Sequence, residues 1–331
     1  MKKYVLGIDG GSTKSQYGLF DIEGNMINFL QGGCVNHAHF TDKYDGMERE
    51  LKKCITEITN KADIDINSIE FCFLGISGAD SKNDHIEISR KVSCIGIGKF
   101  EVCNDAFLGI LAGSPKKYGV CSVNGTGTNC AAIDRKRQKL LIGGWPYGGG
   151  NYLIHLMLKR VYDHYFRCGK YTIMAEKLFM ELGLSCEDEM EEIVYKKVYG
   201  RQIDRSRLTS IPFYAVSKND EVAKEILDIM ALDAARSVAG AVNRLDFSQE
   251  KEVDVILAGS IYVKGEDPYL INAFKRYTKE LLNAEINFIL LDVPPVAGAV
   301  IQAVEIVTGL CDKVIYTKII KTLSTLCEDN K

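Results

Sequence analysis

The chain has 331 residues, 46% of them hydrophobic, which is enough to bury two domain cores and more than one core of usual size takes up. Its formal net charge of −3 offers no basic excess to a nucleic-acid backbone, and pairs such as Lys116-Lys117 read as solvated charge. Met1-Lys2-Lys3 leads into too few apolar residues for a secretion signal, no later run is long enough for a membrane span, and eleven cysteines are scattered without a CxxC pair, so the expectation is a cytoplasmic protein with no nucleic-acid and no membrane partner.

Residues 4–8 are a short apolar run ending at Asp9-Gly10-Gly11, and residues 15–20 and 26–30 follow at hairpin spacing around Gly24-Asn25, which predicts a three-strand meander. Apolar residues at helical spacing predict helices over 47–62 and 86–95, with a buried strand at 71–76 between them; 100–103 reads as a strand ending on Asn104-Asp105. The same opening restarts at Gly119, where strands at 120–123, 130–134 and 139–142 surround Gly125-Thr126-Gly127, an internal duplication. Residues 151–245 read as helical. Strands follow at 253–257 and 286–291, then helices at 296–308 and 314–326, with hinges expected near Ser114-Pro115 and Pro294-Pro295.

Two glycine-rich turns carry the first chemistry. In Asp9-Gly10-Gly11-Ser12-Thr13-Lys14 the glycines let the backbone approach a phosphate, successive N–H groups and the Ser12 and Thr13 hydroxyls can donate to it, and Asp9 can hold a water of a magnesium ion. The turn joins two strands, which excludes the dinucleotide fingerprint and the P-loop, since both open a helix; alone it is also an ordinary Gly-rich hairpin. Asn124-Gly125-Thr126-Gly127-Thr128 repeats the pattern in the second half, and two such turns facing each other would grip a triphosphate from both sides. Asp105, at a strand end before a helix, can take a proton from a hydroxyl that attacks phosphorus, although Asp there also serves as a helix N-cap. Leu257-Ala258-Gly259-Ser260-Ile261 is a strand running into a turn that can lie flat against an adenine or ribose, or can simply join strand to helix.

In order, these residues resemble the ASKHA superfamily of actin- and hexokinase-type ATPases, and more closely the N-acetylglucosamine kinase and BadF/BadG/BcrA/BcrD ATPase family, over most of the chain. Ile8 through Lys14 looks like the first phosphate motif, Asn124 through Asn129 the second, Leu257 through Ser260 the adenosine motif, and Asn104-Asp105-Ala106 the segment with the catalytic aspartate; Gly143-Gly144-Trp145 and Pro294-Pro295-Val296-Ala297-Gly298-Ala299 complete the set. The resemblance implies an α/β chain of two actin-like, ribonuclease H-like domains, residues 1–116 with the C-terminal helix packed on it and 117–331 with a helical insertion, enclosing a nucleotide cleft. It implies ATP and Mg2+ as cofactors: Gly10, Gly11, Ser12, Thr13, Lys14, Gly125, Thr126, Gly127 and Thr128 on the phosphates, Gly259 and Ser260 on the nucleoside, Asp9 on the metal and Asp105 as general base. It implies a small-molecule sugar held by Asn36, Gly78, Asn104 and Trp145, and a homodimer; the side chains of His37 and His39 read as parts of a surface loop.

The likeness breaks after Trp145. Kinases of this family continue into a Gly-Asp-Glu-Gly-Ser segment that opens a helix, whereas this chain has Pro146-Tyr147-Gly148-Gly149-Gly150-Asn151 with no acid, removing an acceptor for a sugar hydroxyl worth about 1–3 kcal/mol. Gly148, Gly149 and Gly150 then either leave room for a bulkier substrate or present helix N-terminal amides to an anion. The expected function is an ATP-dependent kinase for an amino sugar or related hexose. The rival readings are a BadF-type activator ATPase with a cluster bridging subunits, and a sugar-sensing protein that has lost turnover.

Overall fold

The computed structural model describes residues 3–143, 148–200, 202–263, 265 and 267–328. Three antiparallel strands open the first half: β1 (Tyr4–Gly10), β2 (Ser15–Asp21) and β3 (Met26–Gly32). The pairing Gly10↔Ser15 leaves residues 11–14 as the turn between the first two. Asp21 closes the second turn by accepting the amides of Glu23 (3.0 Å) and Asn25 (2.9 Å), and Gly24 supplies the φ of +76° that the turn requires. After α1 (Tyr44–Lys61), β4 (Ile69–Ile76) adds in parallel beside β1. A capping box between Ser81 and Asp84 starts α2 (Lys82–Ser93), and β5 (Phe100–Cys103) runs into α3 (Ala106–Gly113). The sheet order is β3-β2-β1-β4-β5.

The second half repeats this plan. β6 (Gly119–Asn124), β7 (Thr128–Ile133) and β8 (Lys139–Gly143) form a meander. A helical insertion follows: α4 (Gly149–Phe166), α5 (Ile173–Leu182), the short α6 (Met190–Ile193) continuing into a π-helical turn (Val194–Tyr199), α7 (Arg205–Ser217) and α8 (Glu221–Arg244). Then come β9 (Val253–Ala258), α9 (Ser260–Val263), α10 (Tyr269–Leu281), β10 (Ile286–Leu290), α11 (Val296–Thr308) and α12 (Lys313–Glu328). The order β10-β9-β6-β7-β8 is the first sheet's order read from the other edge, so the duplication visible in the sequence is a duplication of topology. Helix α10 is not among the sequence-based expectations.

Between the sheets lies a helix pair drawn from both halves. Helix α3 comes from the first half yet packs on β6, β7 and β9, while α11 comes from the end of the chain and packs on β1, β2 and β4. Val296, Val300, Ile301 and Val304 of α11 are fully buried, each contributing about 1.5–3 kcal/mol relative to exposure. The helix approaches its neighbours closely enough that a Cβ on Gly298 would come within 2.3 Å of the Leu108 carbonyl, and one on Gly7 within 2.5 Å of the Val300 amide. Helix α12 reaches back to the first sheet: Ile315 packs on Gly24, Lys318 donates to the Glu23 carbonyl and the Tyr316 hydroxyl to that of Ala112. Among the described residues no helix is long and apolar enough to cross a membrane.

Candidate active site

The turn after β1 is closed by the Gly11 amide donating to the Lys14 carbonyl (3.0 Å), and it is tied down from two sides. Ser77 N–H donates to the Gly10 carbonyl (2.7 Å) and Val35 N–H to that of Gly11 (3.2 Å). The hydroxyls of Ser12 and Ser77 are 2.8 Å apart, and Asn36 Nδ2 donates to both (2.9 and 3.3 Å) while its Oδ1 accepts the Ala38 amide. Asn36 is thus engaged with the turn itself. Gly78, at φ +87°, brings its backbone so near that a Cβ would lie 2.8 Å from Asn36 Oδ1. His37 departs from the surface-loop expectation: its ring stacks on Tyr44 at 4.3 Å, its side chain is 15% exposed, and its Nδ1 is buried with no hydrogen-bond partner. The short helix over His37–His39, capped by Asn36, turns that ring inward.

The second turn is built differently. Gly125 N–H donates to Gly127 O (2.9 Å) and Thr128 Oγ1 to Val123 O (2.7 Å). Its acceptors then cap α4: Asn124 Oδ1 takes the amide of Gly149 (2.7 Å), Gly125 O that of Gly150 (2.8 Å) and Thr126 O that of Asn151 (3.1 Å). Of the amides expected to be open to an anion, those of Gly149 and Gly150 are already bonded. The glycines answer to packing, since a Cβ on Gly149 would meet the Gly127 carbonyl at 2.5 Å and one on Gly148 the Thr128 side chain at 2.7 Å. The turn after β9 presses on the same loop. Gly259, at φ +97°, would carry a Cβ 2.5 Å from the Asn124 carbonyl.

The two turns meet: Thr13 Oγ1 and Thr126 Oγ1 lie 3.4 Å apart. A cavity of about 550 Å3 opens beside them, lined by Thr13, Gly125, Thr126, Gly150, Ser260 and Ile261, with α7 residues such as Thr209 and Phe213 on its far wall. Residues from three separate sequence motifs thus share one concave wall, with the insertion supplying the rest; α7 is the part that motif reading missed, because nothing in its spacing marks a cavity lining. Trp145, expected on the sugar, lies outside the described residues.

Two carboxylates stand at the strand ends on the first sheet's side. Asp9 and Asp105 are each partly open to solvent, yet burial is the largest cause lifting both to about 7, offset for Asp9 by the Lys14 charge and reinforced for Asp105 by repulsion from Asp9 and then Asp80. Asp105 makes no side-chain capping hydrogen bond to its helix. That task falls to Asn104, fully buried, whose Oδ1 accepts from Ala106 N–H (2.9 Å) and whose Nδ2 donates to Asp80 Oδ1 (2.7 Å). Held in this way, a carboxylate with a proton affinity near neutrality is suited to accept a proton from a nearby hydroxyl.

Known proteins place this geometry in context. Residues 6–161 match the BadF/BadG/BcrA/BcrD ATPase family. The chain is 26% identical over 307 residues to an N-acetylmuramic acid/N-acetylglucosamine kinase of Clostridium acetobutylicum, covering 91% of this chain and 98% of the relative. Among solved structures it is similar to a candidate N-acetylglucosamine kinase from Chromobacterium violaceum (TM-score 0.68, 15% identity, 91% of this chain and 99% of that one). It is also similar to a ROK family glucokinase from Streptomyces griseus in complex with glucose and AMPPNP (TM-score 0.56, 15% identity, 92% and 99%). These matches bear out the resemblance read from the motifs and the two-sheet α/β fold expected from it.

Proposed function

We propose, from the match of residues 6–161 to the BadF/BadG/BcrA/BcrD ATPase family, that this protein is an ATP-dependent kinase phosphorylating a hydroxyl of an amino sugar of the N-acetylglucosamine type. The observation that carries the proposal is the convergence of two glycine turns, one from each half, at the 3.4 Å approach of Thr13 and Thr126 beside a cavity large enough for a nucleoside. The Clostridium acetobutylicum relative supports an amino sugar as acceptor.

In this reading the amides and hydroxyls of Gly10, Gly11, Ser12 and Thr13, with the Lys14 charge, hold the phosphates from one side, and Gly125, Thr126, Gly127 and Thr128 hold them from the other. Gly259 and Ser260 carry the nucleoside. A magnesium ion bound with the nucleotide would neutralise charge on the phosphates, and Asp9, an acidic group at the end of β1, would hold it through water. Asn36, Gly78 and Trp145 position the sugar, while Asn104, buried with its carboxamide bonded at both ends, supports the site from beneath. Asp105 accepts the proton of the sugar hydroxyl as that oxygen bonds to the γ-phosphorus and the bond to the bridging oxygen breaks, releasing ADP. Closure of the lobes, residues 1–116 and 117–331, keeps water from competing for the phosphoryl group.

The test is coupled detection of ADP across a panel of amino sugars and hexoses. Sugar-dependent release supports the kinase. Calorimetric binding of a sugar with no phosphorylation of any panel member would replace it with a sensing protein.

A further inference from the structure

The start of α3 inverts the usual division of labour between an Asn-Asp pair. Either side chain is a good helix cap. The first backbone bonds run from Phe107 N–H to Asn104 O (3.1 Å) and from Leu108 N–H to Asp105 O (3.0 Å), so Asn104 holds the cap position and Asp105 is already helical, at φ −57° and ψ −28°. Had the cap fallen one residue later, the Asp105 carboxylate would be turned onto the helix amides.

What decides the outcome is the orientation of one carboxamide. Asn104 is fully buried, and its Oδ1 reaches Ala106 N–H only while its Nδ2 faces an acceptor. Asp80 provides that acceptor at 2.7 Å, so a flipped Asn104 would set its Oδ1 against the Asp80 oxygen and its Nδ2 against the Ala106 N–H. The parallel pairing of β4 with β5, Gly75 opposite Cys103, brings the turn carrying Asp80 beside residue 104.

We propose that Asp80 is a positioning residue: through the Asn104 carboxamide it keeps the capping bond of α3 on Asn104 and leaves the Asp105 carboxylate without a capping role. The inference rests on the reading of Asp105 as the base. Asp80 itself is exposed, so its replacement leaves the core intact.

The test pairs structure with kinetics on the full chain. In Asp80→Ala, a crystal structure shows the Asn104 carboxamide turned and the Asp105 carboxylate bonded to the α3 amides; kcat falls about 30-fold or more while KM for ATP stays within about twofold, since small misplacements of a reacting group cost this much. In Asp80→Asn, whose side-chain oxygen still accepts from Asn104, kcat returns to within about threefold of the wild type, because geometry and not charge is what Asp80 supplies. An Asp105 carboxylate that keeps its place in Asp80→Ala overturns the proposal. So does an Asp80→Asn variant as impaired as Asp80→Ala, which would make the Asp80 charge a direct substrate contact. If the wild-type protein phosphorylates no sugar while Asp105 turns as expected in Asp80→Ala, the kinase reading fails and the positioning relationship stands.

Discussion

Thr13 and Thr126 are 113 residues apart in the chain, and their hydroxyl oxygens are 3.4 Å apart in space. Each lies on the turn of a β-meander, and the two meanders are topological copies, so the contact joins equivalent points of a duplicated plan. Two such turns meeting form one contact that neither half could make alone.

Replacing Asp105 by Asn keeps size and burial and removes the proposed proton acceptor. Turnover with the best sugar substrate is expected to fall about 10²- to 10⁴-fold, with equilibrium binding of the nucleotide within about twofold of the wild type. Loss of nucleotide binding in this variant would assign the residue to the wrong ligand.

The pH dependence follows from the same group. Its folded-state value is raised to about 7, burial first and the Asp9 charge second, so below pH 7 the base is protonated. The expected profile of kcat/KM for the sugar rises with pH and levels off above about 7. A profile flat from pH 5.5 to 8 would mean that the ionisation of Asp105 does not limit the reaction.

Stability carries the opposite sign. A carboxyl whose value is raised on folding favours the folded state when protonated, so Asp105 and Asp9 lower the stability of the ligand-free protein as pH climbs from about 4 through about 7. Asp105→Asn removes one charge, and thermal unfolding at pH 8 without nucleotide should show a gain on the order of 2–4 kcal/mol that shrinks to nothing near pH 4. A variant less stable than the wild type at pH 8 would contradict the burial argument.

Gly149→Ala combines two penalties: a φ of +80° and a Cβ 2.5 Å from the Gly127 carbonyl. A loss of about 2–4 kcal/mol is expected from strain and overpacking together, along with a higher KM for ATP, because the displaced backbone belongs to the second turn. Gly96→Ala is the matched control for backbone strain: φ is +100° there, but a Cβ would meet nothing within 4 Å. It should be destabilised without a change in KM for ATP, and equal KM shifts in both variants would argue against the packing explanation.

The alternating strands, the two glycine turns and the helix after Asp105 were legible in the sequence because each is set by local periodicity and turn chemistry. Other features depend on contacts through space and left no such trace. Gly148, Gly149 and Gly150 suggested room for a bulkier substrate or an open anion site, but the adjoining second turn, through Thr128 and Gly127, is what excludes side chains at Gly148 and Gly149. His37 sits in a polar stretch and reads as exposed until Tyr44, seven positions on, brings a stacking face. That Asn104 and not Asp105 caps α3 depends on an acceptor 24 residues earlier. Helix α10 was within reach: Leu270, Ala273 and Phe274 recur at helical spacing and are buried.

The interleaving of α3 and α11 sets a limit on how the molecule can be divided. Each half lends the other a central helix; Gly298 lets α11 meet α3 backbone to backbone, and Gly7 lets β1 do the same with α11, leaving no side-chain layer to give way. A fragment ending near residue 116 would lack α11 and expose the apolar face of β1 and β4, so severed halves should persist only when expressed together, as mutual complements.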